Sequence, residues 1–148
     1  MKVSLAVADF DPPMANIVFR GTLDHILSRT ASLGYQGVEL FLSTAQGVDG
    51  DHLKSLLDDN GLETAMLVAV GDLLNTGLSL SHTDPAMRQA YLDAAPVHLG
   101  LASKLGAAVP LGYNRGRLQP GESRAELEER LTDTLCRYHQ IAYDLGVM

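Results

Sequence analysis

The sequence predicts an α/β fold in which strands and helices alternate and the strands pair in parallel. Three observations carry this expectation. Four apolar-periodic stretches each run into a glycine, at Leu33-Gly34, Asn60-Gly61, Leu105-Gly106 and Leu145-Gly146. Glycine just past a helix takes the left-handed cap at no steric cost. Short apolar runs then follow: Gly37 to Phe41, Thr64 to Val70, Ala107 to Leu111, and the beginning of one at Val147-Met148. With Lys2 to Ala8 ahead of them, the order reads β-α-β-α-β-α-β-α and the start of a fifth strand. Strands separated by helices return in parallel through right-handed crossovers.

Each element has its own signal. Lys2 to Ala8 forms the first strand. The first helix, Thr22 to Leu33, buries Leu23, Ile26, Leu27 and Leu33, and it hands over to the strand Gly37 to Phe41. A short second helix, about Asp51 to Asn60, carries Leu53, Leu56 and Leu57. Asp84-Pro85 opens the third helix as N-cap and first-turn proline. Its stripe is Met87, Tyr91, Ala94, His98, Leu101 and Leu105. Pro110 donates no ladder bond, so the strand Ala107 to Leu111 is expected to end early. Ser123-Arg124-Ala125-Glu126 matches the S-x-x-E capping box at the head of the fourth helix. Leu127, Leu131, Leu135, Tyr138, Ala142 and Leu145 then mark one helical face. The strand runs are apolar on both alternations, as in a sheet covered on both faces.

Two architectures accommodate this order. One is a complete doubly wound open parallel sheet. The other is a (β/α)8 TIM barrel, which typically takes ~250 residues. Four βα units share 148 residues, so eight would need about twice the chain. The last apolar run is entered for only two residues, which favours a single domain, 1–148, holding the first four units of a barrel. Such a half leaves strands one and four as edges and turns Val3, Leu5 and Val68 inward without an opposite wall. Self-association, as a homo-oligomer, is the expectation.

Composition excludes several classes. Eighteen acidic residues against eleven basic give a net charge of −7, which disfavours nucleic acid and anionic membrane as partners. No apolar run approaches the ~20 residues of a membrane span. The N-terminal run is interrupted by Asp9 too soon for a signal peptide. A lone Cys136 forms no internal disulfide, which suits a reducing cytoplasm.

Gly34-Tyr35-Gln36-Gly37-Val38-Glu39-Leu40 resembles the turn and second strand of the xylose-isomerase-like barrels, the sugar phosphate isomerase/epimerase superfamily. The stretches Leu53 to Glu63, Leu78 to Arg88 and Ala142 to Val147 resemble that family's second helix, its approach to the third helix and its lead-in to the fifth strand. The resemblance spans the chain in order. It implies a TIM barrel that binds a divalent metal (Mn, Mg, Co or Zn) and moves a proton next to a metal-polarised carbonyl, in isomerisation or epimerisation of a small sugar or sugar phosphate. The family's usual metal ligands are a glutamate ending the fifth strand, then an aspartate, a histidine and a second glutamate on later strands. None maps onto this sequence, so the resemblance implies no metal in this chain alone and gives it the substrate-side wall. A dehydratase or endonuclease relative, and a non-catalytic α/β binding module, are the alternative readings.

In a barrel, chemistry sits at the C-terminal strand ends. Glu39 is a carboxylate within an apolar strand, a costly placement unless it meets substrate or a structural ion-pair partner. Asn114, Arg115 and Arg117 lie between two glycines and can cradle a phosphate or carboxylate, or form a solvated loop. His82 is the histidine placed to reach a site. His98 reads as core edge, and His25, His52 and His139 as surface. Cys136 reads as a buried thiol. Asp9 and Asp11 form either a carboxylate pair or a turn with Pro12-Pro13, and Gly71-Asp72 follows the third strand.

Overall fold

The computed structural model describes residues 2–12, 17–68 and 76–147. Its strands are β1 (Ser4–Ala8), β2 (Phe19–Arg20), β3 (Gly37–Phe41) and β4 (Glu63–Val68). Its helices are α1 (Leu23–Ser32), α2 (Gly50–Asp59), α3 (Pro85–Leu105) and α4 (Arg124–Asp144). The sheet order is β2-β1-β3-β4, and every pair is parallel. Among the described residues no helix is long and apolar enough to cross a membrane.

The punctuation read from the sequence sets the helix ends. Gly34, Gly61, Gly106 and Gly146 all have positive φ. Asp84 caps α3 by accepting from the Ala86 amide at 2.8 Å, with Pro85 in the first turn. Ser123 and Glu126 form the reciprocal capping box of α4. The start of α2 was less legible: Asp49 is its cap, accepting from the Asp51 and His52 amides at 3.0 Å each.

One face of the sheet carries the helices. Val7, Val38, Leu40 and Leu67 are buried with Ile26 and Leu27 of α1, Leu53 and Leu57 of α2, and Leu101, Ala102 and Leu105 of α3 in one cluster. The alternate strand residues Ala6, Glu39, Phe41, Met66 and Val68 belong to no buried cluster and are half-exposed. A doubly wound sheet places helices on both faces. Helices on one face and a half-open second face describe a barrel wall, so the doubly wound alternative is set aside. Val68 turns to the open face as expected. Leu5 packs on the helix side instead, and Val3 of the same alternation is exposed.

One expected edge holds and the other differs. The run Ala107 to Leu111 ends early as expected, contributing one parallel bridge, Ala108 to Met66, two residues before Pro110. Beside β1, a strand not foreseen from the sequence, β2, pairs Phe19 with Val7 and Arg20 with Ala8. It shields the C-terminal half of that edge. The end of the expected third strand, at 69 and 70, lies outside the described residues, as does Met148 of the expected fifth.

A second cluster forms between α3 and α4, from Leu80, Tyr91, Leu92, Ala95, Leu99, Tyr138 and Ala142. The buried face of α3 is rotated from the expected stripe: Ala94 is exposed, while Leu92, Ala95 and Leu99 are buried. The reason is that α3 serves two neighbours, the sheet side and α4. Its Tyr91 hydroxyl is buried, and so is most of Tyr138, whose hydroxyl lies 3.0 Å from His98 Nε2. Burial pushes the Tyr138 phenol up to about 12 and the Tyr91 phenol higher still. The folded state holds the neutral rings, so this stability is complete below pH 10 and is lost as pH rises from 10 to about 12. The melting temperature should therefore hold steady up to about pH 10 and fall beyond it, with tyrosinate absorbance from these rings appearing on unfolding. Tyr138→Phe should make the alkaline fall shallower; an unchanged alkaline limb would contradict this account.

Candidate functional site

Parallel strands end together, so their following loops meet at one end of the sheet, where ligands of such folds bind. Asp9, just after β1, accepts from the Ser43 amide at 2.6 Å and from the Ser43 hydroxyl at 3.1 Å, which ties the first loop to the loop after β3. Asp11 instead pairs with Arg20. The two carboxylates hold separate structural contacts and form no acid–base pair. Gly71 and Asp72 lie outside the described residues.

The loop before α3 and the loop before α4 enclose a cleft of about 770 Å³. Ser79, His82, Tyr113, Arg115 and Arg117 are among its walls. The Leu80 amide donates to the Asn114 carbonyl at 2.8 Å and clamps the two loops together. Tyr113–Arg115 makes a single 3₁₀ turn, which ends at Gly116 with φ 83° and ψ −166°. A Cβ there would sit 2.8 Å from Ser79 Oγ and against Ser81 Oγ. Asn114 is buried beneath the turn, where its side chain acts on the Tyr91 phenol.

His82 is held on both sides. Its Nδ1 accepts from the Asp84 amide at 3.0 Å, and its carbonyl accepts from Arg88 Nη1 at 2.7 Å. That first bond places the proton of the neutral ring on Nε2, leaving a donor at the outer ring position. Behind the cleft, Arg130 of α4 pairs with the buried Glu122. It also reaches the Ser81 carbonyl at 3.4 Å. The Glu122–Arg130 support carries no periodic or spacing signal and was not legible in the sequence.

His82 and Arg115 are thus brought together on the cleft wall, while Asn114 lies buried beneath it and joins the two loops through its carbonyl. Glu39 is not among them: it stands on the open sheet face, in register with Ala6 and Met66. Its carboxylate has no hydrogen bond or ion pair among the described residues, which sets aside the structural ion pair as its role. Glu39→Gln should accordingly change stability by less than about 0.5 kcal/mol. A loss of several degrees in melting temperature would reveal a partner. His98 is half-buried against Tyr138, as expected of a core-edge histidine. Cys136, expected to be buried, is exposed, because α4 packs chiefly on α3 and leaves that flank uncovered.

Among the described residues, no three His, Cys, Asp or Glu side chains converge as a metal site. The described groups do not fit the divalent ion that the resemblance implies.

No protein-family model matches the sequence, and no curated protein is detectably similar to it. Solved structures are similar in fold. A D-psicose 3-epimerase from Clostridium cellulolyticum H10, crystallised with D-tagatose, superposes with a TM-score of 0.69 at 16% identity, over 99% of this chain and 50% of that one. A 3-keto-D-glucoside 4-epimerase from E. coli gives 0.70 at 16% identity, over 100% of this chain and 54% of that one. An AP endonuclease, family 2, from Brucella melitensis gives 0.70 at 17% identity, with the same coverage. The chain spans about half the length of these structures.

Proposed function

We propose, from the premise that this chain has the fold of about half of a xylose-isomerase-like TIM barrel, that it forms the substrate-holding wall of an enzyme that isomerises or epimerises a small sugar. The observation that carries this reading is the cleft lined by His82 and Arg115 at the C-terminal strand ends, with Asn114 beneath it tying the two loops together through its carbonyl. Fixed donors in a walled cleft orient a hydroxylated substrate at low entropic cost. Glu39 adds an acceptor for substrate hydroxyls on the open sheet face. The likeness in fold to epimerases crystallised with D-tagatose, D-allulose and D-fructose supports a sugar as ligand. An endonuclease role is the weaker reading, since a chain of net charge −7 repels nucleic-acid phosphates. We extend the proposal to a cytoplasmic protein that self-associates through its half-open sheet face.

The test is titration of the chain with D-tagatose, D-allulose and D-fructose, followed by heteronuclear NMR. Saturable shifts at the His82 and Asn114 amides, weakened severalfold in His82→Ala, are the expected result. Shifts scattered over the surface and indifferent to His82 would overturn it. Calorimetric titration with Mn²⁺, Mg²⁺ or Co²⁺ should show only weak binding to this chain. One stoichiometric site of micromolar affinity or better would overturn that part.

A further inference from the structure

We propose that the cleft is an oxyanion subsite in which Arg115 and Arg117 hold a phosphate ester or carboxylate carried by the ligand. The proposal deepens the sugar reading above and rests on it for the ligand's remainder.

The argument starts from charge. Among the eleven basic residues of this acidic chain, eight side chains have a bonded partner. Arg29, Arg115 and Arg117 have none among the described residues. Two of those three therefore sit two residues apart on one cleft. The surroundings explain why. The stretch 110–121 contains no Asp or Glu, and neither does 77–83. The first carboxylate after the arginine loop, Glu122, is already taken by Arg130 and by the Gln119 amide. At the other end, Asp84 is spent on capping α3. In a chain of net charge −7, the two loops that form the cleft carry a local charge of +2 and no internal counterion.

Geometry makes this charge a site. The arginines are raised on a turn that begins at Gly112, whose missing Cβ meets nothing within 4 Å, so a ligand can approach the backbone there. Across the cleft, His82 offers its Nε2–H and Ser79 its hydroxyl. Guanidinium forks match the planar edges of carboxylate and phosphate and bind them bidentately, whereas neutral hydroxyls use only part of that geometry.

The experiment titrates the intact chain with inorganic phosphate, D-fructose, a ketohexose phosphate and a hexuronate, in low and high salt. It is repeated with Arg115→Ala, Arg117→Ala and the double variant. Both arginines are exposed, so the variants should melt with the parent. The anionic sugar should bind at least about tenfold more tightly than D-fructose. Each substitution should remove about tenfold of that affinity, salt should weaken it, and in Arg117→Ala, which leaves the sugar-holding donors in place, D-fructose binding should change less than about twofold. Whichever of the phosphate and the uronate binds more tightly identifies the oxyanion. Equal binding of anionic and neutral sugars, or a preference that survives the double variant, would overturn the subsite and leave the sugar reading standing. Phosphate binding that needs both arginines, with no sugar bound, would uphold the subsite and overturn the sugar reading. No binding of any probe would overturn both.

Discussion

Glu122→Ala is expected to cost the chain about 4 kcal/mol, roughly ten degrees in melting temperature. The side chains of Glu122 and Arg130 are only 7% and 21% exposed, so their attraction is little screened by water. The second carboxylate oxygen takes the Gln119 amide at 3.0 Å, and Arg130 leans on the Ser81 carbonyl. Removing the glutamate leaves a guanidinium half-dry and without its counterion, which is the expensive outcome, and it also frees the loop that carries the cleft's arginines. The double variant Glu122→Leu/Arg130→Met removes both charges and keeps most of the volume. It should recover most of the loss, because two paired charges gain little over well-packed apolar groups. Chemical denaturation of the three proteins decides the matter. A single-variant loss below about 1 kcal/mol would mean that the pair does not hold these loops.

Gly116→Ala is expected to cost about 3 kcal/mol, from two sources. The backbone there lies in a region that glycine alone populates freely. The added methyl would also meet Ser79 and Ser81 from the facing loop. Gly100 supplies the control: it sits within α3 with nothing inside 4 Å of its missing Cβ. Gly100→Ala should be neutral or stabilising by up to about 1 kcal/mol. The Leu80 amide, bonded to the Asn114 carbonyl, should lose exchange protection in Gly116→Ala and keep it in Gly100→Ala. Equal stability of the two variants would remove the conformational argument.

What was legible in the sequence is what local chemistry determines. The caps at Asp84 and Ser123, the glycine stops and the Ile26–Leu27 face of α1 are settled within a few residues by backbone hydrogen bonding and side-chain spacing. Leu33, expected to be buried, is 48% exposed because it lies at the helix's C-cap. The arginine loop was visible because its glycines bracket it, and His82 because it lay in the approach to the third helix. What was not legible depends on distant partners. Two residues, Phe19 and Arg20, carry no strand pattern; they are a strand only because Val7 and Ala8 lie alongside. Leu5 faces the helices because pairing with Val38 fixes its register, and a shift of one residue exchanges the two faces of a strand. Cys136 is exposed because the flank of α4 beyond α3 is uncovered, which the helix's own periodicity does not state.

The division of the interior into two buried clusters bears on how the chain opens. One joins the sheet to three helices, and the other joins α4 to α3; Val109 and Val147 pack against both. Such a molecule has two cooperative units of unequal strength, and α4 can detach while the sheet stays intact. The cleft straddles the seam, with one wall leading into α3 and the other into α4. A molecule bound across it would staple the weaker unit to the stronger one and raise the free energy of that partial opening by its own binding free energy. Recognition at the loops and cohesion of the fourth helix are then a single thermodynamic quantity, measured at two places.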